Sequence, residues 1–111
     1  MVVMKEVDKA LEKDFRVGDH FDVAASKLVI GIVGYCIEKN INYLLNEDLD
    51  YSLITKLIVK TPFIFDELSE DSETRQYFYS HFGSISDPVF EGVKMTVLSE
   101  IEKRIYGRNQ T

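Results

Sequence analysis

Leu28–Ile37 reads LVIGIVGYCI, ten residues without a charge, interrupted by Gly31 and Gly34. Four structures can be written for such a run: a buried helix, a buried strand, a membrane segment, or a glycine loop that grips a nucleic-acid backbone. The spacing on both sides favours the helix. Phe21, Ala25, Leu28, Ile32, Cys36 and Tyr43 fall on one broad face, and Val29, Val33 and Ile37 widen it until little polar surface remains. A helix that is apolar all round belongs at the centre of a protein. The periodicity places it from about His20 to Asn46. Each internal glycine costs about 1 kcal/mol against alanine, which makes sense where a second helix crosses closely. Val and Ile also favour strands, so an α+β fold with a strand at residues 28–37 is the alternative.

The membrane structure fails on length. Lys27 and Glu38 bracket the run and hold it to ten residues, against the roughly 18 to 20 needed to span a bilayer. Met1–Met4 is apolar, but Lys5, Glu6 and Asp8 follow at once, so no secretory leader is expected. A cytoplasmic location is the expectation. Cys36 is the only cysteine, which rules out an internal disulfide. Inside the apolar run it reads as an inert core thiol.

Val29–Ile37 also satisfies the bare spacing V-I-G-x-x-G-x-x-I of RNA-binding KH domains, whose GxxG loop presses its backbone against the nucleic acid. Residues between those glycines would sit near phosphate. Here they are Ile32 and Val33, and the nearest cations, Lys27 and Lys39, stand alone. A net charge of −6 repels phosphate, whereas nucleic-acid binding draws on Lys and Arg. Direct nucleic-acid binding is therefore not expected.

The rest of the chain also carries helical spacing. Val3, Val7, Leu11 and Phe15 predict an amphipathic first helix of about fourteen residues, ended by Gly18, with Asp19 or Asp22 available to cap the next. Asp50 can cap a third helix through Leu53, Ile54, Leu57 and Ile58, which Pro62 stops or kinks. Phe63, Phe65 and Leu68 predict one further apolar turn. Asp71 or Ser72 caps a short fourth helix ending at Gly83, with Phe78 and Phe82 facing the core. Asp87 as cap and Pro88 at the first position start a last helix of about nineteen residues, ended by Gly107 before a frayed tail. Its every-fourth stripe is Val89, Val93, Val97, Ile101 and Ile105, flanked by Phe90 and Leu98. The expectation is all-α: residues 1–111 as a single compact domain of about five helices around a buried central helix.

Charge is distributed unevenly. Residues 38–87 hold ten acids against four bases, which accounts for the whole net charge of −6. The acids concentrate in NEDLD (46–50: Glu47, Asp48, Asp50) and DELSEDSE (66–73: Asp66, Glu67, Glu70, Asp71, Glu73), on either side of the third helix. RQYFYSHF follows, placing Tyr77, Tyr79 and His81 on its outer faces if Phe78 and Phe82 point inward. Tyrosine anchors interfaces because it buries apolar area and keeps a polar tip. These ten acids and tyrosines are the candidate partner-binding residues. The plainer reading is that acidic loops are solvated and aid solubility.

Reactive chemistry is sparse. His20 lies between Asp19 and Asp22, but His81 is the only other histidine and no metal spacing joins them. DELSEDSE lacks the glycine and alternating ligands of a calcium loop. No G-x-x-x-x-G-K-S/T, G-x-S-x-G or H-E-x-x-H occurs. No cofactor, metal site or enzyme activity is expected. The leading expectation is a small acidic protein-binding module that occludes a basic protein partner. An inhibitor or immunity-type protein neutralising a toxin nuclease is the concrete example. The alternatives are a homo-oligomeric structural or regulatory subunit, for which a homodimer is the simplest form, and a phage-type accessory protein mimicking DNA.

Overall fold

In the computed structural model, which describes residues 2–11, 23–46 and 48–109, the run Leu28–Ile37 lies wholly inside one helix. That helix, α2 (Val23–Glu38), follows α1 (Val2–Ala10). After it come a short hairpin of β1 (Leu44–Leu45) and β2 (Asp48–Leu49), then α3 (Tyr51–Val59). A 3₁₀ turn (Phe63–Glu67), α4 (Glu73–Phe82) and α5 (Asp87–Asn109) complete the order. The architecture is all-α, and the strand alternative at residues 28–37 is overturned. The reason is packing: α2 touches α1, α3, α4 and α5, and Leu28, Val29, Ile32, Val33 and Cys36 are fully buried. A strand shows only two faces to its neighbours, whereas this segment is covered from every side.

The two glycines of α2 let those neighbours approach. A Cβ on Gly34 would stand 2.5 Å from Thr74 Oγ1 and 3.1 Å from Thr74 Cγ2. One on Gly31 would stand 3.3 Å from the Phe65 ring. The backbone of α2 thus presses against the first turn of α4. Phe65 stacks on Phe78 with ring centroids 4.0 Å apart, and Phe82 and Phe90 extend the aromatic cluster into α5.

Helix α2 ends at Glu38, eight residues before the expected Asn46. Asn40 takes a left-handed φ of 56°. Its amide donates to the Ile37 carbonyl, and the Ile41 amide reaches back to the Cys36 carbonyl at 2.8 Å. These two bonds form a Schellman cap, built on Asn rather than the commoner Gly. The hairpin that follows pairs Leu44 with Leu49, and Asn46 at its turn also has positive φ. At α3 the Asp50 carboxylate accepts from the Leu53 amide, as expected. Ser72, rather than Asp71, caps α4 by accepting from the Arg75 amide.

The expected apolar turn after Pro62 forms, but its register differs. Phe65 and Leu68 are buried while Phe63 is 74% exposed, with Ile64 turned inward instead. A 3₁₀ turn repeats every three residues, so Phe65 and Leu68 share the inner side and Phe63 and Asp66 share the outer.

The α5 stripe also needs correction at its ends. Val97 and Ile101 are buried, yet Val89 and Ile105 are exposed, and Phe90 takes the inward place near the start. A strict four-residue repeat drifts by about 40° per step on an α-helix, so its two ends cannot face one core. The helix begins at Asp87, with the Ser86 carbonyl accepting from the Phe90 amide. It continues through Gly107 to Asn109 rather than ending at the glycine. The predicted positions Phe15, Gly18, Asp19, His20, Phe21, Asp22 and Glu47 lie outside the described residues.

Candidate functional site

The acids of the first segment divide between structure and surface. Asp50 is half-buried and holds the amino end of α3. Asp48 is exposed on the hairpin, opposite Leu45.

The second segment is more heavily bonded than its composition suggests. Asp66 accepts from the Tyr79 hydroxyl and lies 3.9 Å from the Arg75 guanidinium. Glu67 accepts from the Tyr35 hydroxyl at 3.2 Å and faces the Lys39 ammonium at 3.9 Å. Glu73 accepts from the Met4 amide at 3.0 Å, so a carboxylate of α4 satisfies one of the unpaired amides opening α1. Glu70 and Asp71 are exposed and meet no cation among the described residues.

The tyrosines follow the acids. Tyr79 is 38% exposed, and its hydrogen bond to Asp66, followed by burial, raises its hydroxyl pKa above the usual 10.0. The Arg75 guanidinium lies 5.9 Å from the same ring, a cation–π contact. Tyr77 is half-buried, meets His81 edge to face, and is raised chiefly by burial and then by the charge of Asp8. It is therefore an edge of the α1–α4 contact more than an open anchor. His81 is exposed; what desolvation it has, then Lys27, lowers its pKa.

Glu38 is an acid whose role sequence reasoning missed. It accepts from Ser72 Oγ and from the Thr74 amide, both at 2.9 Å. In a capping box the acid sits three residues after the cap, but here that position is Arg75. A carboxylate comes instead from the far end of α2, 34 residues earlier in the chain, and takes the Ser72 hydroxyl and the Thr74 amide, while the Ser72 amide donates to the Ser69 carbonyl. No local signal could have revealed it.

The second acidic segment approaches the carbonyl end of α2, and Asp50 of the first lies close enough for its charge to act on Cys36. Glu67 reaches Tyr35 and Lys39, while Ser72 and Thr74 bind Glu38. From the other side, burial first and the charge of Asp50 second push the Cys36 thiol from 9.0 up to about 12. Burial and a raised pKa both favour the un-ionised thiol, the less nucleophilic form. The carbonyl end of a helix carries negative partial charge of its own, so it adds to the carboxylates around it.

The described residues form two concave regions, among others. A cavity of about 760 Å³ lies between α1 and the end of α2, lined by Glu6, Lys9, Ile37, Asn40 and Tyr43. A groove of about 540 Å³ runs between the 3₁₀ turn, α4 and the start of α5. Among the described residues no group of three or more His, Cys, Asp and Glu side chains could hold a metal ion. No described helix is long and apolar enough to cross a membrane. No known protein family, curated protein or solved structure matches the chain.

Proposed function

We propose that this chain is an acidic protein-binding module that occludes a basic partner, of which a toxin nuclease is the concrete example. The observation that carries the reading is the approach of the second acidic segment to the carbonyl end of α2, joined by the charge of Asp50 from the first. There Glu67, Glu38 and Asp50 gather around a negative helix terminus, and Lys39 is the cation that answers Glu67. Glu70 and Asp71 add exposed charge close by in the chain. Such a face steers a cationic protein into contact and accelerates encounter. A blocker of this kind needs a rigid scaffold and a complementary surface. The close α2–α4 packing supplies the first, and the carboxylates supply the second.

The test begins with affinity capture of basic proteins from host extract at low salt. The association rate of the captured partner is then measured as ionic strength rises. The rate should fall steeply with salt, and it should fall further when Asp66, Glu67, Glu70 and Asp71 are replaced by Asn or Gln. A rate indifferent to both changes would remove the proposal.

A further inference from the structure

The groove beside α4 joins apolar and acidic surface in a way the acidic segments alone do not. Its floor is aromatic: Phe78, Phe82 and Phe90 lie with ring centroids 5.1 to 5.7 Å apart. Its lip is apolar and open to water, with Val59 65% and Phe63 74% exposed. Burying an exposed phenylalanine side chain is favourable, and adjoining exposed apolar residues mark contact surfaces.

The rim decides what fits. Phe63 and Asp66 share the outer side of the 3₁₀ turn, and Tyr79, which lines the groove, donates to that same Asp66, whose charge is answered by Arg75 at 3.9 Å. Asp87 and Glu91 line the opposite end, at the start of α5. Lys94 also lines the groove, but its ammonium is engaged by Glu91 and the Thr61 carbonyl, both at 3.3 Å, and its side chain is only 12% exposed. Asp87 meets no cation among the described residues. A second copy of this chain would bring an equally acidic rim and another −6 of net charge to the contact. Charge therefore favours a cationic occupant over self-association.

We infer that this groove is the anchor point of the interface: it receives one aromatic or long aliphatic side chain of the partner, while a Lys or Arg residue flanking that side chain pairs with Asp87 and draws on Glu91, which Lys94 shares. The inference rests on the basic-partner reading above and adds where the partner is gripped and by what chemistry. Centrally buried aromatic anchors ringed by polar contacts dominate the energetics of protein interfaces.

Three synthetic peptides test it by NMR titration of the isotope-labelled full chain: Arg-Phe-Arg-Leu-Arg, Arg-Ser-Arg-Ser-Arg and Glu-Phe-Glu-Leu-Glu. The first should shift amides of residues 59–63 and 82–91 and bind about tenfold more weakly to the Phe63→Ser variant. An Asp87→Asn/Glu91→Gln variant should weaken it by roughly threefold. Phe63 is 74% exposed, so Phe63→Ser should keep the native spectrum elsewhere. If the Arg-Ser peptide binds as tightly and shifts residues 66–73 instead, the groove inference falls and the acidic reading survives. Equal binding of the Glu-Phe peptide in the groove overturns the inference, while the basic-partner reading is judged separately by its own salt dependence. Concentration-dependent shifts at 59–63 without peptide, lost in Phe63→Ser, would make a second copy the occupant and overturn the inference. Failure of all three peptides to shift the groove also overturns it.

Discussion

The two faces of α4 are held in place by different forces. On the inner face Thr74, Phe78 and Phe82 are buried, Thr74 against bare glycine backbone and Phe78 against a stacked ring. On the outer face Tyr79, Arg75 and the adjoining acids are held by hydrogen bonds and ion pairs that water can replace. Close packing has no such substitute, because a misplaced atom inside leaves either a clash or a void. Stability should therefore respond to changes on the inner face, and recognition to changes on the outer. Substitutions on each side can break or sharpen that division.

The largest effect is expected at Gly34. Alanine there gains about 1 kcal/mol in helix propensity, but its Cβ would fall 2.5 Å from Thr74 Oγ1. Overpacking of a filled site outweighs that gain, for a net loss of about 2 kcal/mol in chemical denaturation. Adding Thr74→Ala should recover part of it, and a strictly additive double mutant would refute the contact.

Glu38→Ala comes next. It removes the acceptor for Ser72 Oγ and the Thr74 amide, at about 1 to 2 kcal/mol by the usual worth of a helix cap. A Tm within error of the native protein would show that the cap is idle.

Dryness around the last turn of α2, away from α4, can be read from pH. The folded Cys36 thiol is held up at about 12 against 9.0, so the folded state keeps a proton that the unfolded state has lost. Stability is then fully present below pH 9.0 and falls as pH rises toward 12. The slope is at most about 1.4 kcal/mol per pH unit from this group. Tyr35, Tyr43 and Tyr77, all raised chiefly by burial, add to the fall above 10.0. Unfolding by urea at stepped pH, compared with Cys36→Ala, isolates the thiol; identical slopes would deny its burial.

Thr74→Val has the opposite sign. Thr74 Oγ1 is buried without a hydrogen-bond partner, so a same-shaped apolar side chain should raise stability by up to about 1 kcal/mol. The smallest effect belongs to the outer face. Glu70→Gln with Asp71→Asn should change stability by no more than about 0.5 kcal/mol. A larger loss would mean that these carboxylates hold the fold and are not free for a partner.

Much of the helical layout was legible because it is written locally. Ser72 and Asp50 cap by reaching amides three residues ahead, and the apolar breadth of Leu28–Ile37 marked the central helix. The end of α2 was hidden because its stop signal is Asn40 in a left-handed conformation, not a glycine. The candidate acids were legible as a cluster but not in their employment. Charge pattern alone cannot distinguish Glu73, tied to Met4, from Glu70, which is not.

What the sequence determined by itself was periodicity, caps and the lopsided charge, since each depends on residues a few positions apart or on a simple count. The tertiary structure decided which carboxylates are bonded, that Glu38 closes a helix 34 residues away, and that Phe63 stands beside an acid-rimmed groove. Those facts depend on which elements meet in space. Contact between distant segments is set by packing of the whole core, and no local pattern encodes it.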